Sequence, residues 1–261
     1  MRAPGRRKHI AIAASLRYGW RLTMRHLNTL VPGTVVFYLP ELFARWGLSF
    51  NGEEVAATVF RFVVGCWLLW HALQLSDRET RSSRFHEPVL PASGYVGRFL
   101  GSTLLFWGVL GLTLWPAWRV ATGTWMPSPG GLEWLKRPGG WTGSQVLQAL
   151  ETALVALPAG LWAVFGWFHG YYVADEGQGP WQSMESSFLA VRGAFLSCVI
   201  FLVVIGLVNA LGLALMVVGV FLAFPVTLMA TTYIHLELKR QTAELRAMVR
   251  TAERRSPAGK R

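Results

Sequence analysis

The stretch AFLSCVIFLVVIGLVNALGLALMVVGVFLAFPVTLMA, residues 194–230, runs for 37 residues without a charged side chain. A helix rises about 1.5 Å per residue, so a single helix here would be about 55 Å long, nearly twice the roughly 30 Å hydrocarbon layer of a bilayer. The stretch is therefore predicted to fold back on itself, with Asn209 and Gly212 at the turn. The two predicted spans are 193–208 and 213–236.

Four upstream segments have the length and apolar character of further spans. They are 27–45, 55–75, 99–118 and 146–173. The chain is 52% hydrophobic and only 15% charged, against roughly 25% charged residues in soluble domains. We predict an all-α integral membrane bundle of about six transmembrane helices with amphipathic interfacial helices. Its predicted parts are a basic amphipathic N-terminal helix (1–26), the transmembrane domain (27–237) and a basic cytoplasmic tail (238–261).

The net charge of +11 is distributed unevenly over this topology. The side with both termini carries 20 basic and nine acidic residues, and the other side carries five of each. Because loops rich in Lys and Arg stay in the cytoplasm, both termini are predicted to be cytoplasmic in a bacterial inner membrane. The charge thus describes orientation, and no nucleic-acid partner is expected.

Two basic rows are predicted to contact the anionic inner leaflet. In the N-terminal helix, arginines recur every four residues beside an apolar stripe of Ile12, Leu16, Trp20, Met24 and Leu27. Like charges at that spacing weaken an isolated helix, whereas an anionic lipid surface stabilises them. The alternative is a solvated charged face, which competes most strongly in the tail. The candidate lipid contacts are Arg17, Arg21, Arg25, Arg246, Arg250 and Arg254.

Three charged residues lie inside the predicted outer ends of spans. Glu41, Arg61 and Glu151 have matching depth and opposite signs, so they form a candidate intramembrane polar cluster. Such a cluster would be a substrate or proton site, or a clamp that neutralises a buried arginine. The alternative is that each side chain reaches separately to the interface.

Other polar residues favour ordinary structural roles. His71, His169 and His235 approach the inner ends of their spans, but no Cys or carboxylate lies at ligand spacing, so no metal site is predicted. The tryptophans of the 119–145 loop are expected at headgroup level rather than in a ligand site. Cys66 and Cys198 lie in apolar runs and are read as small core residues.

Small residues four apart predict close helix packing at two places. Such spacing lets membrane helices approach each other, within one chain or between copies. The candidate packing residues are Gly97, Gly101, Gly166 and Gly170. An amphipathic lead-in followed by a hairpin also recurs near residues 10, 85 and 180, either as an internal repeat or as chance apolar similarity.

Residues 175–238 resemble a family of bacterial membrane proteins related to the membrane domain of glycerophosphoryl diester phosphodiesterases. The resemblance rests on Ser187, the VRGAF run at 191–195, and a set of later positions, and 18–28 is similar in character. Those later positions are Asn209, Gly212, Gly219, Pro225 and Tyr233. The resemblance implies a six-helix membrane domain of largely unassigned role. The phosphodiesterase catalytic domain has no counterpart here, so that activity is not implied.

These observations predict a non-enzymatic protein that organises or assembles a membrane complex or associates with lipid. No phosphate loop, nucleophile elbow or paired catalytic carboxylates occur in the soluble segments, and no cofactor is expected. The expected partners are anionic inner-leaflet lipid, and other membrane proteins or further copies of the chain. The alternative is a small transporter or permease subunit for an amphiphilic substrate, using the cluster of Glu41, Arg61 and Glu151.

Overall fold

The structure is a computed structural model that describes residues 11–45, 53–80, 94–122 and 143–255. Side chains are described for these residues except 41–45, 53–56, 78–80, 143–145, 216–218, 245–246 and 248–255. Within the described residues every element is a helix and none is a strand, which confirms the predicted all-α class. The helices are α1 (Ile12–Arg25), α2 (Leu27–Arg45), α3 (Glu53–Thr80), α4 (Tyr95–Thr122), α5 (Gly143–Gly166), α6 (His169–Glu176), α7 (Pro180–Arg192), α8 (Phe195–Ala214) and α9 (Met216–Arg255).

Five helical stretches are long and apolar enough to cross a membrane. They are Ala57–Asp77, Tyr95–Thr122, Val146–Glu176, Phe195–Ala214 and Gly219–Glu244. The first predicted span, 27–45, contains a shorter apolar stretch at Leu27–Pro40. With α2 included, about six spans remain consistent with this bundle, and the chain is a multi-pass membrane protein.

The long apolar stretch folds back as predicted, but three residues later than expected. The helix break lies at Leu215, whereas Asn209 and Gly212 are inside α8. Gly212 instead permits close packing, because a Cβ atom there would lie 2.5 Å from the Ala223 Cβ atom and 2.9 Å from the Gly219 carbonyl oxygen. The turn prediction was wrong because a glycine that lets two helices touch resembles, in sequence, a glycine that ends a helix.

The first part of the predicted tail (238–261), up to Arg255, belongs to α9 and is not a separate helix. α9 continues without a break from Met216 to Arg255 over 40 residues, which corresponds to about 60 Å. Since that length is about twice the hydrocarbon thickness, α9 extends well beyond the bilayer.

The main core is formed by residues of α3, α6, α7, α8 and α9. Phe168, Phe201 and Ile234 are fully buried there, together with Cys198. Cys66 is buried in a smaller cluster with Tyr95. Both cysteines are free and buried, which confirms that they serve as core residues.

The link between α6 and α7 is fixed by backbone chemistry. Gly177 ends α6 with φ of 62°, a left-handed conformation that glycine adopts without strain. Arg98 of α4 donates a hydrogen bond of 2.6 Å from Nη1 to the Gly177 carbonyl oxygen. Pro180 begins α7, where the missing N–H is not needed. These contacts hold α7 against α4, α5 and α6.

Candidate functional site

The first helix, α1, is attached to the rest of the protein along one side. This side packs on α9, the helix with which α1 makes its main contact. The Tyr18 and Tyr233 rings lie 4.9 Å apart between centroids at this interface. The buried residues of α1 are Ser15, Tyr18, Gly19, Leu22 and Thr23.

Gly19 brings the two helix backbones into direct contact. A Cβ atom at this position would overlap the Val226 carbonyl oxygen and lie 2.9 Å from the backbone nitrogen of Ala230. Because backbone atoms cannot rotate aside, any larger residue would push the helices apart. Glycine is therefore needed here for close helix approach, as at other contacts between membrane helices.

The two remaining sides of α1 are exposed and differ in chemistry. One carries Arg17, Arg21 and Arg25, and the other carries Trp20 and Met24, which are 54% and 36% exposed. We call these five residues the exposed face of α1. A basic row beside an apolar row matches the boundary between headgroups and acyl chains.

The predicted apolar stripe of α1 is divided in the structure. Ile12 and Leu16 pack against the protein core, whereas Trp20, Met24 and Leu27 are exposed. The division arises because α1 turns its small residues, not its most apolar stripe, toward α9. Only the second half of the stripe is therefore exposed on the surface of the protein.

The depth of α1 follows from its neighbours. The apolar span of α3 ends at Asp77, and the preceding Ser76 lies with Oγ 4.0 Å from Met229 Sδ of α9. Gly19 contacts Val226 and Ala230, on either side of Met229. Gly19 of α1 therefore lies beside residues 226–230, within the apolar span of α9, and near the last turn of the α3 span.

The second basic row belongs to the end of α9. Arg246, Arg250 and Arg254 follow one another at four-residue spacing within this helix. Their side chains lie outside the described part of the structure, so their contact with lipid stays a prediction.

A partly buried ion cluster joins α6 to α9. Asp175 Oδ2 lies 2.6 Å from Lys239 Nζ and 3.3 Å from His235 Nε2. Lys239 also lies 3.0 Å from Glu176 Oε1. We call these four residues the α6–α9 ion cluster. Asp175, Glu176 and Lys239 remain partly exposed, at 24%, 33% and 36%, whereas His235 is completely buried. The cluster thus leads from the solvent-accessible end of the bundle into its interior.

His235 is enclosed by aromatic rings. Its ring centroid lies 5.3 Å from that of Tyr171, in a stacked arrangement, and 4.7 Å from that of Tyr172, edge to face. Its Nδ1 atom has no hydrogen-bond partner among the described residues. Because Nε2 faces a carboxylate, the neutral ring carries its proton on Nε2 and leaves Nδ1 as a buried proton acceptor.

Buried hydroxyl groups continue this polar side of α9 toward the middle of the span. Thr231 and Thr232 are buried and donate to carbonyl oxygens four residues earlier. Further along, the Thr227 hydroxyl lies 3.2 Å from the side-chain oxygen of Asn209 on α8. A polar seam of α9 therefore runs from the middle of the membrane to the α6–α9 ion cluster.

The other two histidines named from the sequence are placed differently. His169 stacks on Phe106 with centroids 4.9 Å apart, and its Nδ1 lies 2.8 Å from the Gly166 carbonyl oxygen. His71 stacks on Trp67. In the described part of the chain, no three His, Cys, Asp or Glu side chains are arranged to hold a metal ion.

The candidate polar cluster of Glu41, Arg61 and Glu151 is distributed over α2, α3 and α5. Glu151 is exposed and Arg61 is half-buried, while the Glu41 side chain lies outside the described residues. Their association stays a prediction. The tryptophans at 125, 134 and 141 also lie outside the described residues.

Three of the four candidate packing glycines lie in tight contacts. A Cβ atom at Gly101 would lie 2.9 Å from Pro180, one at Gly166 would lie 2.8 Å from Phe106, and one at Gly170 would lie 2.9 Å from Phe99. No atom lies within 4 Å of such a Cβ at Gly97 among the described residues. Gly97 therefore faces open space on the surface of α4.

Sequence reasoning missed the ion cluster and the contact at Gly19. Asp175 and His235 are 60 residues apart, so their pairing has no local signal. The sequence carried only a weak signal for this pair, because an ionisable residue within a predicted span usually has a partner. For Gly19, the signal was a glycine inside a strongly amphipathic helix, where it costs about 1 kcal/mol relative to alanine unless packing requires it.

Comparisons with known proteins identify no relative. No family model matches the sequence, and neither curated proteins nor solved structures give a significant match. The resemblance to the membrane domain of glycerophosphoryl diester phosphodiesterases stays a prediction. The function is therefore argued from the site alone.

Proposed function

We propose that this multi-pass protein is a non-enzymatic organiser of the bacterial cytoplasmic membrane that associates with anionic lipid through α1. The observation that carries the proposal is the arrangement of α1. One side is packed on α9 through Gly19, and the free sides present three exposed arginines next to Trp20. A basic row and an apolar row are thus held side by side on the outside of the membrane domain.

The charge pattern of α1 supports anionic lipid over water as its surroundings. Arginines four residues apart repel each other by about 0.2–0.5 kcal/mol per pair in a helix. An anionic leaflet instead contributes about 1 kcal/mol for each basic residue near it. Three arginines would therefore gain about 3 kcal/mol, while Trp20 supplies an interfacial anchor.

The proposed orientation places both termini in the cytoplasm. This proposal is supported by the concentration of basic residues on one side of the membrane, including the α1 arginines and the end of α9. The anionic leaflet that α1 would meet there is the inner one. Other membrane proteins or further copies of this chain are the proposed partners for assembly.

Lipid enrichment tests the proposal directly. Purified protein is placed in nanodiscs of equal phosphatidylcholine and phosphatidylglycerol, and co-isolated lipid is measured by native mass spectrometry after detergent release. The wild type is expected to retain phosphatidylglycerol preferentially, and Arg17→Gln/Arg21→Gln is expected to lose most of that preference. Arg240→Gln is the control, because this residue is on α9 and already pairs with Glu237 and Glu244. Equal retention of both lipids by the wild type would refute lipid association.

Transport of an amphiphilic substrate is the second candidate function, and the α6–α9 ion cluster favours it. Ionisable residues inside membrane domains commonly mark substrate or proton pathways. Here His235 pairs with the partly exposed Asp175, and the buried Thr231 and Thr227 lie about one and two turns earlier on α9. Reconstituted protein would then show proton-dependent uptake of an amphiphile into vesicles, and Asp175→Asn would abolish it. Uptake that Asp175→Asn leaves unchanged would exclude this cluster from the pathway.

A further inference from the structure

We infer that the α6–α9 ion cluster is a binding site for a single proton: His235 takes up the proton at Nδ1, and Glu176 balances the charge that it brings. The inference is independent of lipid association by α1. It names the ion that the second candidate function would use, but it requires no solute to move. The uptake converts a neutral imidazole to an imidazolium, so no other bond forms or breaks.

The charges of the cluster leave room for one more positive charge. With a neutral His235 ring, the cluster holds two carboxylates, Asp175 and Glu176, and one ammonium group, Lys239, so its formal charge is negative by one. A proton on Nδ1 brings the sum to zero. Lys239 keeps Glu176 as a partner at 3.0 Å, while Asp175 faces His235 at 3.3 Å. The four groups then form two ion pairs, and charged groups inside a membrane bundle need such pairing.

The surroundings of the His235 ring favour an imidazolium. The ring is stacked on Tyr171 with centroids 5.3 Å apart, within the roughly 6 Å at which an aromatic face attracts a cation. A proton on Nδ1 also needs an acceptor. Thr231 and Thr232 lie one turn earlier on α9, over which a helical side chain is directed. Their hydroxyl groups donate to backbone carbonyl oxygens, so their own oxygen lone pairs remain as acceptors.

Among the described residues, the charges that act on His235 are those of the cluster itself. α1, α3, α7 and α8 contribute apolar side chains and the Cys198 thiol to the surrounding core. On α9, Arg240 is already paired with Glu237 and Glu244. The tyrosines against the ring, which are neutral at physiological pH, are Tyr171 and Tyr172. The proton affinity of His235 therefore depends on the other three members of the cluster.

Nitrogen-15 NMR of the imidazole groups measures this protonation in the intact protein. Full-length protein labelled at histidine is placed in phosphatidylcholine nanodiscs and titrated from about pH 8 to about pH 5, the range over which histidine changes charge. The chain has six histidines, and the signals missing from His235→Gln are those of His235. Neither a solute nor an anionic lipid is present, so the proton site is tested separately from transport and from lipid association.

We expect the Nδ1 signal of His235 to change from an unprotonated to a protonated nitrogen as the pH falls, with the bundle still folded. Asp175→Asn should lower the proton affinity of His235 about tenfold or more, because it removes the nearest opposite charge. Lys239→Gln should raise this affinity, because it removes a like charge and leaves two carboxylates for one imidazolium.

Glu176→Gln is the decisive variant, because Glu176 does not touch the ring. Three contacts of 2.6–3.3 Å join its Oε1 to His235 Nε2 through Lys239 and Asp175. Charges within the resulting distance of about 9 Å change an affinity about twofold even in water, so Glu176→Gln should lower the proton affinity by at least that factor. Glu244→Gln is the matched control, because it removes a carboxylate more than two helical turns further along α9 and should leave the affinity unchanged.

The outcomes separate the parts of the inference. A His235 ring that stays neutral down to about pH 5 in the folded wild type would overturn the proton site. A Glu176→Gln protein that titrates like Glu244→Gln would overturn the charge-balancing role of Glu176. A lower affinity in Lys239→Gln would contradict the charge count. If Asp175→Asn fails to fold, the opposite shifts expected of Glu176→Gln and Lys239→Gln still decide the question.

Discussion

Replacing Gly19 with alanine is the most direct perturbation of the α1–α9 contact. The added methyl group would lie 2.9 Å from the Ala230 nitrogen and closer still to the Val226 carbonyl oxygen. Non-bonded heavy atoms are comfortable at about 3.5 Å or more, so the helices must separate by at least about half an ångström. Neither neighbour can yield by rotation, since both are backbone atoms of a regular helix.

The magnitude combines two opposing effects. Forcing extra volume into a packed interface typically costs about 1–3 kcal/mol. Alanine returns up to about 1 kcal/mol because it is a better helix former than glycine. We therefore expect Gly19→Ala to lower the free energy of unfolding by about 1–2 kcal/mol, or the melting temperature by about 2–8 °C.

The control is Gly97→Ala, because a methyl group there meets no described atom within 4 Å. It keeps the propensity gain without the clash and should be neutral or slightly stabilising. Both variants are measured in nanodiscs by intrinsic tryptophan fluorescence during heating, and amide exchange is followed along α1. Faster exchange confined to residues 12–25 is expected for Gly19→Ala. The close contact at Gly19 is refuted if Gly19→Ala has the same melting temperature as Gly97→Ala and if its α1 amides exchange at the wild-type rate.

Three further substitutions test the packing around the ion cluster and α7. Asp175→Asn should destabilise the protein by about 1–3 kcal/mol in thermal unfolding, because it removes a charged acceptor from His235 and from the Lys239 ammonium group. Glu237→Gln alters an exposed ion pair, so it should change the free energy of unfolding by no more than about 0.5 kcal/mol. Equal effects of the two substitutions would contradict the expected role of Asp175. Ser187→Ala should cost about 1–2 kcal/mol, since the Ser187 hydroxyl bonds two backbone groups at the α5–α6 break; a neutral result would mean that water replaces it. Gly177→Ala should cost about 1 kcal/mol or more through its positive φ, and an unchanged melting temperature would contradict the left-handed cap.

The membrane architecture could be predicted because a bilayer imposes length. Five apolar segments of sufficient length follow from the hydrocarbon thickness, and the 37-residue stretch had to fold back. The exact turn could not be predicted, because Gly212 carries the same local signal whether it ends a helix or packs against Ala223. The end of α9 could not be predicted either, because no helix-ending residue occurs at Leu238 and the helix continues to Arg255.

The sites were only partly predictable. The arginine row of α1 is a local pattern, and the structure leaves Arg17 and Arg21 exposed as that pattern predicts. The opposite side of α1 depends on Gly19, whose contact with α9 joins residues more than 200 positions apart. The same is true of Asp175 and His235, which meet only because α6 and α9 cross. Such sites depend on tertiary packing, and no periodicity in one helix reports them.

α9 links α1 to the α6–α9 ion cluster. On one side it receives α1 at Gly19, and on another it holds His235 and Lys239 against α6. The two contacts lie within a few helical turns of each other, from Val226 to Lys239. Packed helices transmit strain because protein interiors are dense and shift between discrete arrangements. A change in the packing of α1 at Gly19 is therefore expected to act on the same segment of α9 that positions the buried histidine.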